Sequence, residues 1–264
     1  MSTPHGAHDR SNERNQQERA GSLISQYLMA LGEEVGAVEL EPEALVRAAV
    51  RVLPVDGAGL SMMVGILRQP LAATSEDCRF CEELQSTLGD GPCLLAVEAH
   101  EALVADLPEI ERCWPQYAAE LAERTSFRSV AAAPLRAAPG ETAFAALDLY
   151  STSPQFSDEL DEGEVAIVGE LIGALLATCV AKIGELDSVD AGPEWFRSVA
   201  RRRHDVWVAI GMVRAREQLS PCDALSLLRG HAYSQSRGLD DLAADVVGGK
   251  LSLTALTGDL PASD

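Results

Sequence analysis

The sequence predicts an α+β protein: an antiparallel sheet flanked by helices, followed by a helical linker and a C-terminal three-helix module. Three observations predict this class. Strand-length apolar segments alternate with helical ones between residues 21 and 184. Three helical patterns follow one another with little loop between residues 193 and 250. A chain of 264 residues with 47% hydrophobic content is also long enough to bury real cores.

Composition divides the chain into five parts. Residues 1–20 are polar and rich in Asn, Gln, Arg and Glu, so we expect a disordered segment there. Residues 21–184 form the sheet domain, and the acidic residues 185–192 form a linker flanked by glycines. Residues 193–250 form the helical module, and residues 251–264 form a tail.

The elements of the sheet domain follow from apolar spacing and from turn residues. We expect helices over residues 23–31, 43–53, 81–88 and 114–124, and a long helix that Ser157 caps and that ends at Gly184. The expected strands cover residues 58–66, 71–74, 103–107, 127–135 and 144–150. Residues 67–70 join the first two strands into a hairpin, and residues 89–93 form a tight glycine turn.

The module begins with a helix over residues 195–217, whose Val199, Val206, Ala209, Ile210 and Val213 share one apolar face. A second helix starts at residues 220–223, where a serine cap precedes a proline and an acid. It ends near residues 236–238. A third helix covers residues 239–247 and stops at two glycines. This pattern predicts a compact three-helix unit.

The module carries a family pattern in three pieces. These are residues 203–212 (RHDVWVAIGM), residues 223–232 (DALSLLRGHA) and residues 237–247 (RGLDDLAADVV). Together they resemble the ANTAR domain, the RNA-binding output module of bacterial transcription antiterminators. The resemblance implies an RNA partner, namely hairpins in leader transcripts. It places the RNA-binding face at the end of the second helix, with one contribution from the first: Arg203, Arg229, Tyr233, Gln235, Ser236 and Arg237.

The sheet domain carries a second pattern: residues 88–93 (LGDGPC), residues 127–130 (FRSV) and residues 147–151 (LDLYS), with Asp106 and Trp114 between them. These residues resemble a GAF domain of the type found in actinobacterial GAF–ANTAR proteins. The resemblance implies a sensory domain with a pocket for a small-molecule ligand, and it leaves the cofactor unknown. Candidate pocket residues are Cys93, Trp114, Phe127 and Tyr150, with packing inside the core as the alternative for all four.

Charge agrees with this division. The chain has a formal net charge of −20, which argues against general affinity for nucleic acid. Residues 1–192 hold 12 Lys and Arg against 32 Asp and Glu, whereas residues 193–250 hold 9 against 7. The module is therefore the part of the chain that is not acidic, as a segregated RNA face requires.

Six cysteines without a signal peptide predict a reduced, cytoplasmic protein with no membrane span. No catalytic constellation, phosphate loop or metal motif stands out, so we expect neither an enzyme nor a bound metal. Two alternatives stay open. Cys78, Cys81 and Cys113 are compatible with a GAF-type methionine sulfoxide reductase, and the helix over residues 219–233 has the length of a helix-turn-helix DNA reader.

Two apolar seams predict a homodimer. Leu171, Leu175 and Thr178 lie on one face of the helix that closes the sheet domain. Val199, Val206, Ile210 and Val213 line the helix that opens the module. Such seams are usually buried against a partner, so we expect two copies of the chain to associate along them.

Overall fold

The computed structural model describes residues 5–35, 40–184 and 188–257. It confirms the α+β class, with a five-stranded antiparallel sheet in the order β2-β1-β5-β4-β3. The strands are β1 (Gly57–Val64), β2 (Leu67–Ala73), β3 (Leu103–Ala105), β4 (Ser129–Leu135) and β5 (Ala145–Ser151). The two central strands, β5 and β4, are buried along their whole length, since helices cover the sheet.

The helices before and around the sheet are α1 (His5–Val35), α2 (Pro42–Val52), α3 (Glu76–Leu88), α4 (Pro92–Ala99), α5 (Leu107–Cys113), α6 (Pro115–Arg124) and α7 (Glu162–Gly184). The C-terminal part contains α8 (Glu194–Glu217), α9 (Pro221–Ser234), α10 (Leu239–Val247) and a short α11 (Leu253–Thr257). Helices α1, α2 and α7 share one apolar core with the sheet. Helices α3, α5 and α6 cover the sheet with a second apolar cluster.

The first hairpin differs from the prediction in one consequential way. Its turn is Gly65-Ile66, with Gly65 in the left-handed region at φ 63°, so residues 67–70 belong to β2 instead of the loop. Pro70 lacks an N–H and usually marks a break, but β2 is an edge strand, where a proline is tolerated. As a result Arg68 and Gln69 are buried strand residues.

Three other expectations need correction. The sequence predicts disorder for residues 1–20; residues 1–4 lie outside the described residues, and residues 5–20 form the first half of α1, since this stretch contains no proline and many good helix formers. Residues 92–99 and 107–113 form two helices that the turn-rich sequence had concealed. Ser157 does not cap the long helix. The Asp161 carboxylate instead accepts the Glu164 N–H at 2.9 Å at the start of α7.

Helix α7 is long and apolar enough to span a membrane by length and composition, with a mean hydropathy of 1.9. In this fold one side of it lies against the sheet, where Val165, Val168, Ile172 and Leu176 are buried. Gly169 and Gly173 permit this close approach. A Cβ atom at Gly173 would lie 2.4 Å from the carbonyl oxygen of Arg136. The two glycines thus serve packing.

The module folds as the sequence predicts. Helices α8, α9 and α10 begin and end close to the expected residues, and Ser220 caps α9 by accepting the Asp223 N–H at 3.1 Å. The apolar positions of the family pattern form one core, with Leu67 of β2 buried among them: Val206, Ala209, Ile210, Val213, Ala224, Leu225, Leu228, Ala232, Leu239, Leu242, Ala243 and Val246. Three of the four valine and isoleucine side chains assigned to the second dimer seam are in this core, and Val199 is in the main core.

Candidate functional site

A buried polar cluster lies between α3 and the sheet, and we call it the polar core: Ser61, Arg68, Glu82, Gln85, Asp148 and Tyr150. Four elements supply it, namely β1, β2, α3 and β5. Every one of these side chains is buried, Arg68 being 3% exposed and the other five 0%. Six buried polar residues in one place are unusual, because each must recover the hydrogen bonds that it loses with water.

Arg68 is the centre of the polar core. Its Nη2 lies 2.6 Å from Glu82 Oε2 and 2.8 Å from Asp148 Oδ2, so one guanidinium group pairs with two carboxyl groups. Its Nη1 also donates to the backbone carbonyl of Glu82. The pairing requires Arg68 on the edge strand, Glu82 on the covering helix and Asp148 on a central strand.

Neutral polar groups complete the polar core. The Tyr150 hydroxyl donates to Glu82 Oε1 at 2.6 Å, and the Ser61 hydroxyl donates to Glu82 Oε2. Gln85 Nε2 donates to Asp148 Oδ2 at 3.1 Å, while its Oε1 accepts the Cys93 N–H at 3.1 Å. Gln85 therefore joins the carboxyl groups to the first turn of α4.

Electrostatics leave one charge of the polar core uncompensated. One arginine faces two acids, and removal from water disfavours a second negative charge. Burial, followed by the nearby charge of Glu82, raises the pKa of Asp148 well above its ordinary value. Asp148 therefore holds its proton over a wider pH range than an exposed aspartic acid does.

The site has unused hydrogen-bonding capacity. Arg68 Nε, Asp148 Oδ1 and the Tyr117 hydroxyl are buried without a hydrogen-bond partner. Groups of this kind are rare and often mark a place where another molecule binds or where the structure rearranges. The unpartnered atoms belong to a cation, a carboxyl group and a hydroxyl, three kinds of group that can form hydrogen bonds with a polar molecule.

Three of the predicted pocket residues, Cys93, Phe127 and Tyr150, are buried around the polar core, whereas Trp114 also lines an open hollow of about 540 Å³. Trp114, Phe127 and Tyr150 join one apolar cluster, in which the rings of Phe127 and Tyr150 stack at a centroid distance of 5.1 Å. Cys93 lies apart from these rings, in a small alanine-rich cluster beside α4. Two of the four reach the polar core through polar atoms: the Tyr150 hydroxyl donates to Glu82, and the Cys93 N–H donates to Gln85. Ligand binding by these residues remains a prediction.

The cysteines of the reductase alternative are placed unfavourably for thiol chemistry. Cys78 and Cys81 are completely buried, and burial raises the pKa of both thiols. A raised pKa keeps a thiol protonated and unreactive. Cys113 is half-buried in α5, and in the described part of the chain no disulfide links two cysteines. In the same residues no group of three His, Cys, Asp or Glu side chains is arranged to hold a metal ion.

The predicted RNA-binding residues fall into two groups. Tyr233, Ser236 and Arg237 line a groove of about 230 Å³ between the module and helices α3 and α6. Arg229 of α9 lies nearby and contacts the C-terminal end of α3. Gln235 is exposed beside His231. Arg203 is separate. It is half-buried on α8 and lines a different, apolar hollow with Trp195 and Trp207.

Several of these side chains are already engaged within the chain. Arg229 Nε donates to the carbonyl oxygen of Ser86 at 3.0 Å, and burial lowers the pKa of Arg229. Arg237 forms an ion pair with Asp245 at 2.6 Å. Arg203, by contrast, has no ion pair or hydrogen bond with the part of the chain that the structure describes.

Sequence reasoning missed Arg68, Glu82 and Asp148. A signal was present for one of them, since Asp148 stands between apolar neighbours in a strand pattern that predicts full burial. A charged residue at such a position needs a partner. The sequence conceals this partner, because its turn signals place Arg68 in a loop.

Comparison with known proteins matches residues 43–180 to the family model of the GAF domain. No curated protein matches the chain. Solved structures that resemble it include the GAF domain of a phosphoenolpyruvate-protein phosphotransferase from Coxiella burnetii, at 16% identity and a TM-score of 0.45, covering 62% of this chain and 98% of that one. Another is the GAF domain of a putative sensor histidine kinase from Pseudomonas syringae pv. tomato (22%, TM-score 0.41, 66% and 96%). A third is a type II free methionine-R-sulfoxide reductase from Thermoplasma acidophilum (20%, TM-score 0.37, 58% and 95%).

Proposed function

The chain belongs to the GAF domain family, and from that premise we propose that it is a cytoplasmic regulator whose sensory domain controls an RNA-binding output module. The output would be an ANTAR-type module acting in transcription antitermination. It would bind hairpins in a leader transcript and so prevent a terminator from forming. The observation that carries the proposal is the three-helix module, in which the apolar positions of the family pattern fill one core.

The surface of the module supports an RNA partner. Gly211 and Gly230 lie inside helices α8 and α9, both are exposed, and a Cβ atom at either position would meet nothing within 4 Å. A helix-interior glycine costs about 0.5–1 kcal/mol relative to alanine, so such positions are often kept where another molecule approaches closely. Gly211 therefore does not serve the close packing of helices within this chain.

Binding to RNA hairpins in preference to duplex DNA is the first expected result. Full-length protein should bind a labelled tandem stem–loop RNA more tightly than a DNA duplex of the same stem sequence. Affinity should fall with salt, the log–log slope being roughly −0.7 to −0.9 for each phosphate neutralised. RNA crosslinked to the protein in cells and then sequenced would supply the stem–loops to be tested.

The variant Arg203→Ala tests whether this arginine contacts an RNA phosphate. Arg203→Ala should weaken RNA binding and reduce the salt slope by about 1, because one phosphate contact is lost. Removal of Arg203 should not disturb folding, since no side chain in the described residues depends on it for an ion pair. Arg112→Ala is the matched control, because Arg112 is an exposed arginine on α5 of the sensory domain. Equal or tighter binding to duplex DNA would favour the helix-turn-helix alternative instead.

The environment of the thiols does not favour the reductase alternative, so we propose no catalytic activity. The CxxC cysteines are both buried, with raised pKa values, and the polar core beside them contains no thiolate-stabilising cation that is free, since Arg68 is paired with two carboxyl groups. The sensory domain would instead respond to a small-molecule signal of unknown identity.

We propose that the regulator is a homodimer formed by the sensory domain. Leu28 and Met29 of α1 are 48% and 71% exposed, and Leu171 and Leu175 on the neighbouring α7 are half-buried. Sedimentation at micromolar concentration should therefore detect a dimer, and Met29→Asp should dissociate it, because a carboxylate is costly to bury without a partner. Val189→Asp, at another exposed apolar position, should not. A wild-type monomer would contradict the proposal.

A further inference from the structure

The output module is bound to the sensory domain mainly through the C-terminal end of α3. Arg229 Nε donates to the carbonyl oxygen of Ser86 at 3.0 Å, and the Leu239 N–H donates to Thr87 Oγ1 at 3.2 Å. A third hydrogen bond runs from Gln69 Nε2 on β2 to Asp240 Oδ2 on α10, at 2.9 Å. These contacts attach both α9 and α10 to the sensory domain.

Gly89 provides the space for this contact. It ends α3 in the left-handed region at φ 71°, and a Cβ atom there would lie 2.4 Å from Arg229 Nη1 and 2.7 Å from Arg229 Cζ. The guanidinium group therefore lies directly on the glycine. A cation is stabilised at this place, because the last carbonyl groups of a helix carry partial negative charge.

Helix α3 also supplies two side chains to the polar core. Glu82 and Gln85 point into the polar core, whereas Ser86 and Thr87 reach the module. Ser86 connects the two sides directly. Its hydroxyl donates to the carbonyl oxygen of Arg68 at 2.7 Å, and its own carbonyl accepts from Arg229. A shift of the Arg68 backbone would therefore displace Ser86, and with it the carbonyl group that binds Arg229.

Docking also covers the predicted RNA face. Arg229 and Tyr233 are half-buried, and Tyr233 packs against the apolar cluster under α3 and α6. The groove that Tyr233 and Arg237 line is also lined by Arg124 and by three acids, Glu83, Glu120 and Asp241. The three acids outnumber the two arginines of this lining, so the docked arrangement is unfavourable for the phosphate groups of RNA.

We propose that α3 is a latch that holds the output module in an RNA-incompetent position until the polar core rearranges. The inference rests on the proposed RNA-binding function, and it adds to it the means of control. If only a fraction of the molecules have a free module, the apparent affinity for RNA equals the affinity of the free module multiplied by that fraction. A signal needs only to bind the polar core differently in the docked and free states to shift the balance.

Two substitutions release the latch without replacing a predicted RNA residue. Gly89→Asn keeps the left-handed helix end, which asparagine tolerates, but places a side chain where Arg229 lies. Thr87→Val keeps the shape of the side chain and removes the acceptor for the Leu239 N–H. Gly140→Asn is the matched control, since Gly140 has φ 82° and a Cβ atom there meets nothing within 4 Å.

The full-length variants are compared by hydrogen exchange of α9 and α10 and by their affinity for a tandem stem–loop RNA taken from the crosslinked set. Each releasing variant should exchange faster in both helices and bind RNA about tenfold more tightly, since each removes about 1.4 kcal/mol of docking. Gly140→Asn should match the wild type. Unchanged exchange in both Gly89→Asn and Thr87→Val would overturn the latch, as would faster exchange with unchanged RNA affinity. If exchange rises and no variant binds RNA, the latch stands and the RNA function fails.

Discussion

Replacing Arg68 with methionine should lower the free energy of unfolding by about 3–5 kcal/mol, the cost of leaving a buried charge unpaired. Methionine fills a similar volume but cannot compensate the Glu82 and Asp148 carboxyl groups, both 0% exposed. It also cannot donate to the Glu82 carbonyl. The result is measured by urea unfolding followed by circular dichroism, with equal m-values required before the free energies are compared.

Two further variants test the cause of that loss. Arg112→Met removes an arginine whose ion pair with Glu109 is exposed, so it should change stability by less than about 1 kcal/mol. Adding Asp148→Asn to Arg68→Met should restore part of the stability, because one of the two unpaired acids is gone. A loss under about 1 kcal/mol for Arg68→Met, or no recovery in the double variant, would show that the pairing does not hold the polar core together.

The ion pairs of the polar core matter for the proposed control of the module. A buried ionic group is a weak source of net stability compared with apolar residues of the same volume. Its value lies in having discrete arrangements, since pairs of charged groups either keep their partners or exchange them. In the proposed latch, a small change in the bonding of Glu82 or Gln85 would therefore change the position of α3.

The parts of the fold that the sequence predicts well are those fixed by local chemistry. Ser220 followed by Pro221 determines the start of α9, and the alternation of apolar residues at spacings of three and four determines the buried face of α8. An apolar run likewise locates β4, and apolar residues on both sides of Asp148 locate β5. Each of these signals acts within a few residues of the element that it defines.

The candidate site could not be predicted in the same way, because its parts are distant in the chain. Arg68 and Asp148 meet through pairing of β1 with both β2 and β5, which no local pattern specifies. Pro70 favoured a loop in the sequence, and only its position on an edge strand allows it in the sheet. The hydrogen bond from Arg229 to Ser86 is also a tertiary property, so the sequence predicts Arg229 as an RNA contact without showing that its side chain is engaged within the chain.

Stability should depend on pH through Asp148. Its pKa is raised in the folded state by burial and by the charge of Glu82, whereas an unfolded chain returns it to its ordinary value near 3.9. Between these two pKa values the folded state binds more protons than the unfolded state. The free energy of unfolding therefore falls as pH rises above about 4, by up to about 1.4 kcal/mol per pH unit for one proton.

Asp148→Asn should remove this dependence, because asparagine keeps the shape and an acceptor oxygen but has no proton to lose. The difference in the free energy of unfolding between Asp148→Asn and the wild type should grow as pH rises from 4, in favour of the variant, and should level off once the folded-state carboxyl group has ionised. Asp158→Asn, an exposed carboxylate with the same chemical change, should instead track the wild type at every pH. Urea unfolding at half-unit intervals between pH 4 and pH 9 measures the three curves. Parallel curves for Asp148→Asn and the wild type would contradict a proton held at Asp148, and with it the account of the polar core as two acids sharing one arginine.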